Sequence, residues 1–178
     1  SFASIALARH LALGTTYRGN LKIPGDLLDG QTSVRPTLPR PLPPSKRAKM
    51  DFVVGDLGAL PVIKGGWDVC IALNAIDMMD NPALLPKLQH TLLSPCGTAM
   101  QSAPYIWHES VAEKLRRATS SSGKISSARA IEELYESAGF RLSEKIEHLP
   151  WLFFKHLRQL EIYSVHALLG KKVRRKQK

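Results

Sequence analysis

The chain has 178 residues, of which 44% are hydrophobic and 22% are charged. This length can bury a sizeable core, and the composition is typical of soluble globular proteins rather than of disordered or fibrous ones. No uninterrupted apolar run is long enough to span a bilayer, and two cysteines exclude a disulfide framework or a cysteine-based metal cluster. We therefore expect a cytoplasmic protein without a membrane span.

The formal net charge of +10 is concentrated in two segments. Residues 35–49 carry five basic residues, residues 171–178 carry six, and neither segment has an acid, which leaves a charge of −1 on the rest of the chain. Such segments either contact nucleic acid, anionic membranes or acidic partners, or serve as solvated loops and tails. The basic runs at 46–49 and 171–174 also fit a short nuclear-import pattern, so a nuclear location is an alternative.

The first 50 residues show few regular features. Residues 2–8 have a short helical pattern, and residues 14–49 then show little periodicity. Five prolines between positions 36 and 44 exclude a regular helix or a central strand there. We interpret 31–50 as a Pro-rich basic insertion and predict no regular structure over 14–49.

Regular elements are predicted from residue 51 onward. A short strand is expected at 52–54, before Gly55-Asp56. In the stretch GGWDVCIALNAID, the apolar run 69–73 follows two glycines and is typical of a strand that is buried on both faces. Asn81-Pro82 then begins a helix whose leucines share one face, and a third strand is predicted at 98–105.

Two helices and two strands complete the pattern. The helices are predicted at 109–117 and 128–138, and Gly139 is well placed to end the second one. The strands are predicted at 140–154 and 160–170. This alternation of β-α-β-α-β-β predicts a doubly wound sheet that ends in a hairpin-like pair of strands.

Polar residues follow the apolar strand at 69–73. In parallel α/β sheets, functional groups lie just past the carboxyl ends of the strands, and Asn74 and Asp77 have that position. Asn74 either binds a ligand or caps the strand, and Asp77 is interpreted as part of the turn into the next helix. The histidines of the last strands lack the spacing of a metal site, and His166, in an apolar strand, is interpreted as a satisfied core residue.

The order of these elements and the residues that punctuate it resemble the class I S-adenosylmethionine-dependent methyltransferases. The segment FVVGDLGALP at 52–61 is similar to the third strand of that fold, and residues 66–100 are similar to the fourth strand, its helix and the fifth strand. The helix-to-strand turn in that family is usually Pro-Gly-Gly and is Pro95-Cys96-Gly97 here. IEELYESAGF at 131–140 resembles the helix before the sixth strand, so the likeness covers about residues 51–170.

A narrower likeness concerns the residues that follow two of the strands. Ala72-x-Asn74-x-x-Asp77, followed by Ser102-x-Pro104-Tyr105-x-Trp107, is similar to the methyltransferase domain of ovothiol-biosynthesis enzymes, which methylate an imidazole nitrogen of a thiolated histidine. The Trp-Leu-Gly-Gly that usually follows in that group is absent here.

The resemblance implies an α/β fold with a Rossmann-like class I methyltransferase sheet and helices on both faces, in which the first strand or strands and the Gly-rich loop are lacking. We therefore expect one N-terminally incomplete methyltransferase domain over residues 1–170, followed by a basic tail at 171–178. The acid that ends the second strand of the family is not identifiable, since Asp26 and Asp29 are poorly placed for that role.

S-adenosylmethionine is the cofactor that the resemblance implies. Asp56 would accept a hydrogen bond from the adenine amine, and the backbone N–H of Leu57 would contact an adenine ring nitrogen. Ala72, Leu73 and Asn74 would lie beside the methionine part of the cofactor.

The acceptor pocket would follow the fifth strand of the family. Tyr105 and Trp107 would line it, and His108 could act as a base near the acceptor. The expected reaction is N- or O-methylation of a small molecule, without a metal. The sequence identifies no catalytic residue, acceptor or oligomeric state.

Two alternatives remain beside this function. The absence of the Gly-rich loop favours a noncatalytic relic of the fold that acts as a binding or scaffold protein. The basic segments favour a nucleic-acid-associated protein, although no aromatic residues interleave them as in proteins that bind single strands.

Overall fold

The computed structural model describes residues 5–6, 8–9, 12, 19–22, 31–34, 42–118, 125–156 and 159–173. The chain divides into two compact units, one formed by Ser1–Asp56 with Leu152–Glu161 and the other by Leu57–Trp151 with Ile162–Lys178. Helical residues are described at 5–6, 8–9 and 12, in keeping with the helical pattern near the start of the sequence. Asp26 and Asp29 lie outside the described residues.

Two short strands form a ribbon in the first unit. β1 (Gly19–Lys22) pairs antiparallel with β2 (Gln31–Val34). A single helical turn, α1 (Pro44–Arg47), has its proline at the start, where the missing N–H breaks no helical hydrogen bond. The prediction that 14–49 lacks regular structure is therefore wrong at these positions, because paired strands satisfy each other's backbone groups without any apolar periodicity.

No strand forms at 52–54, where the sequence predicts one. The backbone over 51–56 is irregular, and Val53 and Val54 are 52% and 44% exposed. A strand needs a hydrogen-bonding neighbour, and none of the described strands pairs with this segment. Asp56 consequently follows a loop rather than the end of a strand.

The second unit is built on a sheet with the strand order β3-β4-β6-β5. β3 (Trp67–Leu73) runs parallel to β4 (Leu93–Ala103), and β6 (Gln159–Lys172) runs antiparallel on the other side of β4. β5 (Phe140–His156) lies beside β6. β5 and β6 each have residues in both units. Apart from shifts at their ends, β3 to β6 are the strands that the sequence predicts in this region.

Three predicted helices are confirmed in the second unit: α2 (Leu84–Leu92), α3 (Glu109–Ala118) and α4 (Ser127–Ser137). The hydroxyl of Ser126 caps the start of α4, and Gly139, with φ +97°, follows its end as expected. None of the helices in the described part of the chain combines the length and the apolar character needed to cross a bilayer.

The core of the second unit lies between the helices and one face of the sheet. Ala99 and Ala103 of β4 and Leu168 of β6 share this face, because alternate residues of paired strands point the same way. The cluster of buried apolar residues is Ile76, Leu85, Leu93, Ala99, Ala103, Val111, Leu115, Ile131, Tyr135, Phe140 and Leu168.

β3 is half-buried on one face and exposed on the other. Cys70 and Ala72 pack against the core, whereas Val69, Ile71 and Leu73 on the opposite face are 55%, 58% and 57% exposed. The prediction of burial on both faces is wrong, because β3 is an edge strand of the described sheet and no described element covers its outer face.

Candidate functional site

The carboxyl ends of β3 and β4 lie side by side because the two strands are parallel. Asn74, the residue after β3, has φ +50°, a left-handed conformation that asparagine tolerates better than most residues. Its N–H donates to the Ser102 carbonyl at 2.7 Å and so joins the two strand ends. Its side-chain oxygen Oδ1 is buried and has no hydrogen-bond partner among the described residues. An orphaned acceptor therefore lies at the edge where α/β sheets bind ligands.

Asp77 ties two loops of this edge together. It lies in the 3-10 turn Ile76–Met78 and is 5% exposed. Its Oδ2 accepts a hydrogen bond from the Ile106 N–H at 3.1 Å, which connects the loop after β3 to the loop after β4. This contact agrees with the interpretation of Asp77 as a turn residue.

Two aromatic side chains follow β4. Tyr105 and Trp107 stack with their ring centroids 5.5 Å apart and their planes inclined by 12°. Trp107 Nε1 donates to Ser127 Oγ at 3.0 Å. Trp107 also lines a cavity of about 240 Å³, whose other lining residues are Ala112, Leu115, Arg116, Ile125, Ser126, Ser127 and Ala130. A concave space of small-molecule size therefore lies against one of the two predicted pocket aromatics.

His108 lies at the start of α3. Its side chain is exposed, and its backbone carbonyl accepts hydrogen bonds from the Val111 N–H at 2.9 Å and the Ala112 N–H at 3.0 Å. The backbone of His108 thus caps the helix, and its role as a base stays a prediction.

The residues predicted to bind the cofactor occupy different surroundings. Asp56 belongs to the first unit and Leu57 to the second. Ala72 packs against the core, and Leu73 lies on the exposed face of β3. Of these five predicted residues, Asn74 is the one with an orphaned buried polar atom. Leu57 lines a cavity of about 190 Å³ together with Gly58, Met79, Leu84, Lys87, Leu88 and Thr91.

A histidine interpreted from the sequence as a core residue reaches this edge of the sheet. His166 of β6 lies opposite Ala103, the last residue of β4, and its Nδ1 is 2.7 Å from the Tyr105 hydroxyl. Its Nε2 lies 3.7 Å from Glu132 Oε1 and 4.0 Å from Glu147 Oε1. His166 is 3% exposed, so its burial is confirmed, but Nε2 has no hydrogen-bond partner in the described part of the chain.

Glu132 of α4 is a buried carboxylate with two basic partners. Its Oε2 lies 3.0 Å from Lys145 Nζ and 3.2 Å from Arg129 Nη1, whereas its Oε1 faces His166. Within the described ranges, no group of three or more His, Cys, Asp or Glu side chains could hold a metal ion. The cluster is therefore a set of ion pairs and hydrogen bonds.

Sequence reasoning missed the functional potential of His166, Glu132 and Gln101. Gln101 of β4 is 0% exposed, and neither polar atom of its side chain makes a hydrogen bond of good geometry among the described residues. Its side chain nevertheless lies near the Tyr105 hydroxyl and opposes the rise of the Tyr105 pKa. The signal in the sequence was a polar residue inside an apolar run, as in TAMQSA and SVHALL. Strand register is needed to see that both side chains point to the same face.

Burial determines which of these groups carries a charge. Burial lowers the pKa of His166, the carboxylates of Glu147 and Glu132 oppose this shift, and Lys145 adds to it. Burial also raises the pKa of Tyr105 far above its usual range. Near pH 7, His166 is therefore a neutral imidazole and Tyr105 a neutral phenol.

No protein-family model and no curated protein matches the sequence, whereas solved structures match the fold. One is a chain of the complex between the Haloferax volcanii methyltransferase activator Trm112 and a protein assigned as a methyltransferase. It is 17% identical, with a TM-score of 0.50, and the match covers 74% of this chain and 67% of that one.

Two further matches are S-adenosylmethionine-dependent methyltransferases. The Thermotoga maritima protein is 16% identical, with a TM-score of 0.45 and coverage of 72% of this chain and 66% of that chain. The Methanosarcina mazei protein is 8% identical, with a TM-score of 0.49 and coverage of 69% and 67%. The chain thus spans about two thirds of the length of the three structures.

The strand order β3-β4-β6-β5, with one antiparallel strand, together with the Haloferax match, defines the fold. The chain has the Rossmann-like fold of the class I methyltransferases. The predicted fold class is therefore confirmed, and the narrower likeness to ovothiol-biosynthesis enzymes stays a prediction.

Proposed function

We propose that the chain is an S-adenosylmethionine-dependent methyltransferase that methylates a nitrogen or oxygen of a small molecule. The observation that carries this proposal is the fold, in which parallel β3 and β4 lie beside antiparallel β6 and which matches the Haloferax structure with a TM-score of 0.50. Because one fold hosts many functions, the residues of the site must also fit the cofactor and the acceptor.

Asn74 supports the fit of the cofactor. Its buried Oδ1 lacks a partner at the carboxyl end of β3, and the ammonium group of the methionine part would supply the missing donor. When bound, this cofactor provides a methyl group on a sulfonium that is already activated. The task of the protein is then to hold the nucleophile in line with the methyl carbon. We propose that Leu57, which lines the smaller cavity, contacts the adenine.

The cavity beside Trp107 supports a small acceptor. Its volume of about 240 Å³ suits a ligand of a few rings at most, and the indole offers a flat apolar wall. The Ser126 and Ser127 side chains add polar groups to the lining. A planar, polar ring such as an imidazole fits this description, in agreement with the narrower likeness in the sequence.

Calorimetric titration with S-adenosylhomocysteine tests the cofactor site. We expect micromolar binding, and we expect Asn74→Ala to weaken it about tenfold, the effect of losing one good hydrogen bond. Asp56→Ala tests the adenine ligand predicted from the sequence. Asn81→Ala is the matched control, because Asn81 caps a local turn through its hydrogen bond from the Ala83 N–H. Absence of binding at millimolar concentration would contradict the proposal.

Transfer of a radiolabelled methyl group tests the acceptor. Histidine, thiolated histidine, simple amines and phenols form the panel, and we expect the imidazoles to be the best acceptors. Binding of the cofactor product without transfer to any of these would favour the noncatalytic alternative, a binding or scaffold protein. A steep fall of nucleic-acid affinity with salt would favour the nucleic-acid alternative.

A further inference from the structure

Tyr105, which stacks on Trp107, also contacts His166, and His166 lies beside the buried carboxylate of Glu132. We propose that Tyr105 accepts the proton released by the methyl acceptor while passing its own proton to His166, whose other nitrogen faces Glu132 and Glu147. This inference rests on the proposed function. Tyr105 would be a catalytic residue, and His166 and Glu132 would act through it.

The geometry determines which nitrogen of His166 carries the proton. Nε2 faces the Glu132 and Glu147 carboxylates at 3.7 and 4.0 Å. An unprotonated Nε2 would direct its lone pair at two negative charges, which is unfavourable in a buried site. The proton therefore lies on Nε2, and Nδ1 accepts the hydrogen bond from the Tyr105 hydroxyl at 2.7 Å. The phenol oxygen keeps a lone pair for a second donor, and the nearby Gln101 amide competes with the methyl acceptor for this role.

The backbone of Tyr105 is strained. Its φ of +62° is rare for a bulky residue. The ring is held between Trp107, with which it stacks, and His166, whose ring centroid is 5.8 Å away. The strained conformation thus holds the phenol ring against both Trp107, which lines the cavity, and the buried imidazole of His166. Strain of this kind is concentrated at functional sites.

The charges around His166 suit a proton acceptor. Glu132 of α4 shares one carboxylate oxygen with Lys145 and directs the other at the imidazole. Glu147 and Lys145 of β5 face the same ring, and Tyr105 faces it from the loop after β4. Burial keeps the pKa of His166 below its usual value, so the ring is neutral at pH 7, while the two carboxylates stabilise the imidazolium that a transferred proton would create.

The proton balance is complete. As the nitrogen or oxygen of the acceptor gains the methyl group, the electron pair of the broken carbon–sulfur bond stays on sulfur. The acceptor releases its N–H or O–H proton to the Tyr105 oxygen, and the phenol passes its own proton to His166 Nδ1. After the product leaves, His166 Nδ1 returns its proton to the Tyr105 oxygen as the phenol releases its other proton to water in the emptied site, so each group regains its starting state. No oxidant, reductant or metal is required.

The test uses the whole chain, with thiolated histidine as the acceptor and S-adenosylhomocysteine as the binding probe. Tyr105→Phe keeps the ring and its stacking and removes only the hydroxyl. We expect this variant to lose about 100-fold or more in turnover while its affinity for the binding probe stays within about twofold. We expect wild-type kcat/KM to fall as the pH drops through the lowered pKa of His166, which lies below the ordinary histidine value of about 6.5, and we expect His166→Gln to lack this acid limb.

His148→Gln is the matched control. His148 Nδ1 of β5 also bonds a hydroxyl, that of Ser164 of β6 at 2.9 Å, but this contact is exposed. We expect this variant to keep the wild-type turnover and pH profile. Nitrogen-15 spectra of histidine-labelled protein give a readout without turnover, in which His166 should carry its proton on Nε2.

Two results would overturn the inference while the proposed function stands. One is an active protein whose Tyr105→Phe variant turns over as fast as the wild type. The other is a spectrum that shows the proton of His166 on Nδ1. A wild-type chain that does not bind S-adenosylhomocysteine would be a failure of the proposed function, and the binding measurement recognises it separately.

Discussion

Gln89 is a buried residue whose side chain joins α2 to three other elements. From α2, its Nε2 donates to the Cys70 carbonyl of β3 and the Met100 carbonyl of β4, both at 3.1 Å. Its Oε1 accepts from the Tyr135 hydroxyl of α4 at 2.5 Å. Gln101 is equally buried but makes no hydrogen bond of good geometry among the described residues. The two glutamines therefore provide a matched pair.

We predict opposite effects for the two Gln→Met substitutions. Gln89→Met leaves the Tyr135 hydroxyl and two strand carbonyls without this partner and should lower the free energy of unfolding by about 3 kcal/mol. Gln101→Met removes an unsatisfied amide and should leave stability unchanged or raise it by about 1 kcal/mol. Urea denaturation measures both. Equal losses would show that the Gln101 amide is hydrogen-bonded in the folded chain, with the Tyr105 hydroxyl as the nearby candidate.

Backbone conformation predicts a second pair of residue effects. Gly139 has φ +97°, and an added Cβ would lie 3.1 Å from His90 Nε2, so Gly139→Ala should destabilise the fold by about 1–2 kcal/mol. Cys96 has φ +68°, at a position where the resembling family has glycine. Cys96→Gly should therefore stabilise the fold by up to about 1 kcal/mol. Thermal denaturation compares the two, and a clear loss with Cys96→Gly would contradict the argument.

His166 should make stability depend on pH. Burial lowers its pKa in the folded chain, so the unfolded chain binds a proton first as the pH falls. Its contribution is complete above the unfolded pKa of about 6.5 and is lost as the pH falls through the folded value. Urea denaturation between pH 8 and pH 5, values chosen to span the histidine range, should show a steeper decline for the wild type than for His166→Gln. Parallel declines would contradict this prediction.

At the scale of elements, Lys172 at the end of β6 contacts the carboxyl end of α2. Its Nζ donates to the His90 and Leu93 carbonyls, both at 2.7 Å, and so satisfies the carboxyl end of α2 from β6. The sequence places this lysine in a basic tail, whereas the structure extends β6 to Lys172. At least this basic residue has a structural role.

We predict that Lys172→Met lowers the free energy of unfolding by about 2 kcal/mol, because two charge-assisted hydrogen bonds to buried carbonyls are lost. Lys171→Met is the control: Lys171 is its exposed neighbour, and this change should have an effect within about 0.5 kcal/mol. Chemical denaturation of the two variants tests the difference. Equal effects would mean that net charge, rather than the helix end, determines the result.

At the scale of the whole molecule, the outer face of β3 is an exposed apolar surface that the sequence did not predict. Val69, Ile71 and Leu73 are each more than half exposed on this face. We predict that the triple change to threonine costs less than about 1.5 kcal/mol, because threonine suits strands and little apolar burial is lost. Self-association, measured by light scattering, should decrease.

Leu168→Ala is the contrasting variant for the same sheet. Leu168 is 1% exposed, and its truncation should cost about 2–5 kcal/mol. A comparable loss in the triple threonine variant would show that the outer face of β3 is covered in the natural molecule.

The sequence by itself determined the types of most elements from residue 67 onward and, with the family resemblance, the class of fold. Helical periodicity, the glycine after α4 and the apolar run of β3 are local signals, and local signals are enough to identify an element. Local signals gave a wrong prediction at 52–54, where no strand forms, and on the outer face of β3, which is exposed. Strand pairing and burial depend on neighbouring elements.

The tertiary structure alone decided which polar groups meet. The orphaned oxygen of Asn74, the contact of Tyr105 with His166 and the orientation of Glu132 all depend on strand order and register. Register brings residues that are distant in sequence to within hydrogen-bonding distance, and a shift of one residue would turn His166 to the other face of the sheet. The candidate aromatics were therefore predictable from the chain, whereas their buried partner required the folded sheet.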